Sequence, residues 1–294
     1  MANLKEIRTR LISVKSTRQI TNAMEMVSAA KLRKAQDNIM QIRPYTNKLN
    51  DILRDLDTDL ISFKENIFFK ERKPGKILLI VVTSNRGLCS TFNSNVIKRT
   101  MQIADEKYRS ENENGNLDII AIGKKGKDFL KSKKYNVIES HIEIFDMLHF
   151  NNVLPIVKKI IENFVNNKYS IVEIIYNQFK NAAVQILIEE QFLPIVYKEK
   201  TLDRFESVTE YILEPTKEYI IQEIIPKSLQ VQFYKILLDS YASEHGARMT
   251  AMHKATDNAT ELIMDLQLEY NKARQASITK EILEIVGGAE ALNE

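Results

Sequence analysis

The chain has few of the residues that chemistry requires. It holds one cysteine, Cys89, in 294 residues, which excludes an internal disulfide and fits a reducing compartment. Arg86 and Arg99 are too weak an influence to activate that thiol, so Cys89 reads as an inert, small apolar residue. Four histidines are present, His141, His149, His245 and His253; the last two share a helical stretch but stand too far apart to chelate a metal one turn from each other. Ser28, Ser84 and Ser90 lack an adjacent histidine or a glycine-flanked elbow, and Glu189 with Glu190 sits inside an apparent strand. No metal, cofactor or catalytic constellation is expected.

Charge of one sign is also lacking. Lys plus Arg (42) against Asp plus Glu (39) leaves +3, and the basic side chains are scattered, so no nucleic-acid partner is expected. The longest aliphatic run, Ile77 to Val82, is far too short to span a bilayer, and the start, MANLKEIRTR, has no apolar signal core. An α/β chain invites a phosphate site, for which GKKGK at Gly123 to Lys127 is the candidate. It has neither P-loop spacing nor the third glycine of a dinucleotide turn, and reads as a strand-to-helix turn with solvated lysines.

What is present is helix. From 244 to 292 there is no proline, and the only glycines are Gly246, Gly287 and Gly288, which favours one unbroken helix. Met252, Ala255, Ala259, Leu262 and Leu266 follow a heptad rhythm that resumes at Ala273 and Ala276, ends at Leu283 and is interrupted by Glu269 and Lys280. An alanine-rich seam allows close approach but buries little area per layer, so it needs a second long helix. That partner is expected from about Asn3 to Asp57, with Leu4, Ile7, Leu11 and Val14 in heptad spacing. After Arg18 the pattern shifts through Ile20, Met24 and Val27 to Ala29 and Ala30. Pro44 should bend this helix without ending it, since apolar residues resume at Leu49, Ile52 and Leu56. At 1.5 Å per residue it would be a rod of roughly 80 Å.

Pro74-Gly75 turns the chain into KILLIVVT, a run suited to a strand buried on both faces. Next come the loop SNRGLCST, a helix from Asn93 to about Arg109, the strand LDIIAIG, a short helix from Lys127 to about Lys133, a helix after Asn151-Asn152 to about Asn166, and the strands SIVEIIYNQF and VQILIEEQF. This alternation predicts an α/β layer with a mostly parallel sheet. Pro215 suits the first turn of a returning helix reaching about Val286, bent early by Pro226. The fold class is therefore α/β: an antiparallel coiled coil of N- and C-terminal helices (1–60 and 214–290) with a central Rossmann-like domain (75–200).

IRTRLISVKSTRQITNAMEMVSAAKLRKAQ near the start, SNRGLCSTFN in the middle, and ARMTAMHKATDNA with YNKARQASITKEILEIVGGAEAL at the end closely resemble the γ subunit of bacterial F-type ATP synthases. The likeness covers both helices nearly end to end. The central domain resembles the family mainly through its glycine loop and strand order, and that loop departs from the common pattern at Asn85, usually Asp, and Ser90, usually Gly.

The resemblance implies a non-catalytic, proton-coupled rotor. Its coiled coil would turn inside a ring of three α and three β subunits, with catalytic sites on β, no cofactor of its own, and ε and the membrane c ring as further partners. Location would be peripheral on the cytoplasmic side of the bacterial inner membrane, with membrane contact only through the c ring; the missing transit peptide and the lack of a cysteine pair fit a bacterial origin. Met24 and Arg248 match shaft positions important for coupling, and Cys89 with its loop would lie near an acidic segment of β. Arg274, Gln275 and Thr279 match polar contacts to β loops. Ile278, Ile282, Leu283, Ile285, Val286 and Leu292 would turn in an apolar bearing, and Tyr211 with Glu214 would form the foot on the c ring. Two other classes share parts of the pattern. A coiled-coil adaptor with an α/β spacer would carry the heptads without these motifs, and a Rossmann-like enzyme would need the missing glycine fingerprint.

Overall fold

A computed structural model describes residues 4–56, 67–70, 72, 75–195 and 217–290. The chain forms two compact units, Met1–Ala29 with Arg248–Glu294, and Ala30–Ala247. Two long helices contribute to both: α1, Leu4–Leu56, and α6, Lys217–Glu290. Helical structure continues through Pro44 and Pro226.

In the unit Ala30–Ala247 the elements after α1 are β1 (Ile77–Val82), α2 (Phe92–Gln102), a π-helical turn (Ile103–Lys107), α3 (Arg109–Glu113), β2 (Leu117–Ile122), α4 (Lys124–Ser132), β3 (Val137–His141), α5 (Phe150–Val165), β4 (Ile171–Phe179) and β5 (Gln185–Leu193). The sheet order is β3-β2-β1-β4-β5. β1 to β4 run parallel and β5 pairs antiparallel with β4. Strands added outward from β1 through β3, followed by a return to β4, make a doubly wound sheet, because right-handed crossovers then carry helices to both faces. Every residue of β1 and β2 is buried, as continuous Ile, Leu and Val runs require when both faces are covered.

Two carboxylates are buried with this core, and each has partners. Asp118 of β2 accepts from Tyr169 Oη at 3.0 Å, Asn136 Nδ2 at 2.7 Å and Lys76 Nζ at 3.2 Å. Glu173 of β4 accepts from Lys107 Nζ at 2.6 Å and Tyr108 Oη at 2.7 Å. Burial together with the Glu173 bond pushes the Tyr108 phenol well above its usual range. Burial opposes the charge on Lys107, but its bonds to Glu173 and Glu189 outweigh that and raise its pKa.

This pairing accounts for one departure from the sequence reading. The helix expected from Asn93 to Arg109 starts one residue earlier and gives way at Ile103 to the π turn. The wider turn brings Lys107 and Tyr108 onto Glu173. A second departure is α4, which starts at Lys124 rather than Lys127. Gly123, at φ 103°, makes the turn, and a Cβ there would stand 2.1 Å from the Thr83 carbonyl oxygen. Gly126 donates its N–H to Thr83 Oγ1 at 2.9 Å, and its own Cβ would meet that oxygen at 2.8 Å. Both glycines of GKKGK therefore serve close packing of a helix start on β1. The edge strand β3 is absent from the sequence reading, because its polar Glu139, Ser140 and His141 hide the strand pattern.

Candidate functional site: the helix pair and its apolar end

In the other unit the start of α1 pairs with the end of α6. Thr256 Oγ1 lies 2.8 Å from Thr21 Oγ1, and His253 Nδ1 lies 3.0 Å from Glu25 Oε1. Moving up α1 from Thr21 to Glu25 moves down α6 from Thr256 to His253, so the helices are antiparallel. His253 Nε2 also faces Asp257 Oδ2 at 3.6 Å, which puts the ring between carboxylates of both helices.

The observed seam corrects the expected one. On α6 the inward positions are Met252, Thr256, Ala259, Ile263, Leu266, Tyr270 and Ala273, an unbroken heptad series. Ile263 is 6% exposed whereas Leu262 is 37% exposed. Alternate layers are thus one residue later than the Ala255, Leu262 and Glu269 phase, and the apparent interruption at Glu269 vanishes because Tyr270 holds that layer. On α1, Leu4, Ile7, Leu11 and Val14 face inward as expected. There is no shift through Ile20 and Val27, which are 60% and 56% exposed. The heptad instead continues through Thr21 and Ser28, and farther along the helix, in the α/β unit, through Leu32, Ala35, Ile39, Thr46 and Leu49. These hydroxyls can be buried because each bonds back to a carbonyl about one turn earlier: Thr21 to Arg18, Ser28 to Met24 and Thr46 to Ile42.

Met24 is half-buried beside this seam and Arg248 is buried. Arg274, Gln275 and Thr279 are exposed, beyond the last seam residue Ala273. Thr279 donates its hydroxyl to the Gln275 carbonyl at 3.0 Å, leaving that oxygen only as an acceptor for a partner. Ile278, Ile282, Leu283, Ile285 and Val286 are each about half or more exposed, at 48%, 54%, 66%, 71% and 54%. Five large apolar side chains left in water within one helix end mark a surface for a partner. Sequence reasoning misses a second such set. Ile12, Ile20, Met26 and Val27 form an outward stripe on α1, with Met264 and Leu268 exposed on α6; the signal exists, but two of these residues, Ile20 and Val27, also fit the seam expected from the sequence. Tyr211, Glu214 and Leu292 lie outside the described residues.

Cys89 belongs to the α/β unit, in the loop after β1. Its side chain is 2% exposed and takes a contact from Asn93 Nδ2 at 3.2 Å, while Arg86, Leu88 and Ser90 form the loop's exposed rim, Leu88 at 63%. Leu88 and Ser90 have φ of 62° and 53°, left-handed values that glycine adopts without strain and that Ser90 adopts at a cost. Asn85 Nδ2 donates to the Ile142 carbonyl at 2.8 Å, and its Oδ1 accepts from the Lys124 N–H at 3.0 Å. A carboxylate could make only the second bond, so Asn85 ties together two loops in a way that Asp could not.

Among the described residues no group of three or more His, Cys, Asp or Glu side chains could hold a metal ion, and no helix is long and apolar enough to cross a membrane. A small hollow of about 210 Å³ at β3 and α5 is lined by His141, Glu139, Lys159 and Lys168. Its polar groups largely satisfy one another: Glu139 takes Lys159 at 2.7 Å and faces His141 Nε2 at 3.2 Å. Burial lowers the His141 pKa, with Glu139 opposing.

Terminal helices that pair antiparallel, with a doubly wound α/β domain, define the class as α/β with a coiled coil. Residues 3–292 match the family described as ATP synthase. An ATP synthase gamma chain of Flavobacterium psychrophilum is 56% identical over 292 residues, covering 99% of each chain. Two solved structures share the fold. One, from the Euglena gracilis mitochondrial ATP synthase in a structure of OSCP, F1 and c-ring, is 19% identical, covers 98% of this chain and 94% of its own, and has a TM-score of 0.68. The other, from the central stalk and c-ring of the Tetrahymena thermophila mitochondrial ATP synthase, is 24% identical, covers 80% of this chain and 99% of its own, and has a TM-score of 0.60. The chain belongs to the ATP synthase family, as a gamma chain, a non-catalytic subunit.

Proposed function

We propose that this subunit couples rotation of a membrane c ring to conformational change at β-subunit catalytic sites, in a proton-translocating enzyme at the cytoplasmic side of a bacterial inner membrane. The observation that carries the reading is the apolar end of α6. Five large aliphatic side chains follow the last seam layer and remain largely exposed, so they suit a closed sleeve contributed by other subunits. An apolar sleeve also suits turning, since it has no directional bonds to break. The polar collar of Arg274, Gln275 and Thr279 just before that end can hold one β loop at a time. Met24 and Arg248 support coupling lower on the pair. The loop of Cys89 would meet the acidic β segment through its exposed rim, Arg86 and Leu88, rather than through the buried thiol. Tyr211 and Glu214 keep the role of foot on the c ring, beside ε, on the strength of the YILEP resemblance. The adaptor alternative has no observation of its own in its favour. Co-expression with α and β subunits tests the proposal: a stable complex with one copy of this chain per ring is expected, and failure to join the ring would overturn it.

A further inference from the structure

In a doubly wound sheet, ligands bind beyond the carboxyl ends of the strands where the order reverses. Here that point lies between β1 and β4, and it is filled from within the chain. Cys89 and Phe92, from the segment after β1, form one buried apolar cluster with Ala247 of α6. Asn177 of β4 donates its Nδ2 to the Phe92 carbonyl at 3.0 Å and ties the same corner to the sheet. In the turn after β4, Ala182 approaches α6 so closely that a Cβ on Gly246 would stand 3.2 Å from the Ala182 Cα, 3.3 Å from its carbonyl oxygen and 3.4 Å from the Phe179 ring.

Along this passage α6 is buried on all sides, from Ala242 through Ala247. Ala242, Ser243, Gly246 and Ala247 fall on one helical face, and their small size permits the approach. A glycine inside a long helix lowers its stability relative to alanine, so its presence there calls for a compensating contact. A Cβ on Gly287 or Gly288, in the same helix, would meet nothing within 4 Å. Gly246 differs from them in having backbone against it.

We propose that Gly246 is the positioning residue of a fixed joint: the ligand crevice of the α/β fold has become the socket in which α6 is seated, and torque passes between domain and helix there. The torque-transmitting role rests on the rotor reading above. Direct contact between backbones suits it, because close-packed interiors transmit strain, whereas long side chains would flex. Occupation of the crevice also accounts for an α/β domain of this topology without a nucleotide fingerprint.

The test uses Gly246→Ala and Gly246→Val. In the full chain, amide hydrogen exchange read by mass spectrometry should rise several-fold in both segments of the joint, around residues 180–184 and 242–247, relative to the rest of the sheet. In complexes reconstituted into vesicles, ATP hydrolysis should persist while protons pumped per ATP fall, more for Val than for Ala. Exchange unchanged in both variants would show that the socket does not hold the helix. Changed exchange with wild-type pumping per ATP would remove the torque-transmitting role, and so would a proportional fall in hydrolysis and pumping, which marks a general defect. If Val blocks assembly, Ala decides, since its Cβ asks neighbours to give only a few tenths of an ångström. Failure of the wild-type chain to assemble with α and β would instead defeat the rotor reading, and the exchange measurement would still judge the socket.

Discussion

Thr21 and Thr256 meet hydroxyl to hydroxyl at 2.8 Å across the helix pair, in a layer where a coiled coil ordinarily places two aliphatic side chains. Each hydroxyl also lies within bonding distance of its own helix, Thr21 at 3.0 Å from the Arg18 carbonyl and Thr256 at 2.9 Å from that of Met252. The two protons can therefore be shared along a short chain that ends on a backbone oxygen.

This layer predicts non-additivity. Thr21→Val alone leaves Thr256 facing an apolar methyl and should lower stability by about 1 kcal/mol, the net worth of one neutral hydrogen bond. The double change Thr21→Val with Thr256→Val removes both polar groups while keeping shape, and should recover most of that loss. A double-mutant cycle from thermal unfolding measures it, and strictly additive losses would show that the bond contributes nothing.

The same layer shows why the seam is only partly legible in the sequence. Leu4, Ile7, Leu11 and Val14 announce the start of α1, and the continuous apolar runs of β1, β2 and β4 announce the parallel sheet. The middle of the helix pair is hidden, because its heptad positions carry Thr21, Ser28, Thr256 and Ala259, while larger apolar residues, Ile20, Val27, Leu262 and Leu268, face water. A pattern reader follows hydrophobicity, and in a shaft built to meet other subunits hydrophobicity lies on the outside as well. The motif residues of the tail are visible through resemblance. The switch-point socket is not, since Gly246 and Ala182 come together only once the strand order is known.

Asp239 gives a pH-dependent prediction. It is 8% exposed on α6 in the α/β unit, and burial raises its pKa from 3.8 to about 6, against the opposing pull of Lys235 and Arg43. A carboxyl whose folded pKa is raised disfavours folding when ionised, so the penalty is present above about pH 6 and disappears below the unfolded value of 3.8. Asp239→Asn should therefore stabilise the protein at pH 7.5 by about 1 to 3 kcal/mol, at 1.36 kcal/mol per pKa unit, and leave it unchanged near pH 4. Denaturant midpoints across that range read the difference, and equal gains at both pH values would rule out titration as the cause.

Gly123→Ala tests the packing reading of GKKGK. The new Cβ would meet the Thr83 carbonyl oxygen at 2.1 Å, at a φ of 103° that alanine adopts only under strain. A loss of at least about 1 to 3 kcal/mol is expected from the backbone conformation alone. Wild-type protein should show no saturable heat on titration with ATP or inorganic phosphate in a calorimeter. Binding that disappears in Gly123→Ala protein matched for folded fraction would restore the phosphate reading.

The last prediction concerns the collar at the far end of α6. Gln275 and Thr279 are one helical turn apart and exposed on one face, with Arg274 beside them. Because the Thr279 hydroxyl is donated to the Gln275 carbonyl, the donors left for a β loop are the Gln275 amide and the Arg274 guanidinium, and Thr279 contributes an acceptor and a methyl group. A hydrogen bond to a charged group contributes about 1.5 to 3 kcal/mol, enough to favour one angular position and little enough to be broken at each step. Gln275→Ala should accordingly slow steady-state hydrolysis by the reconstituted complex more than Thr279→Val does, and together they should loosen rotor retention. Circular dichroism of the chain should stay unchanged, since neither substitution lowers helix propensity severely. Equal, unimpaired turnover in both variants with normal assembly would mean that the collar is a solvated face and that the fit of the apolar end alone couples the shaft to the ring.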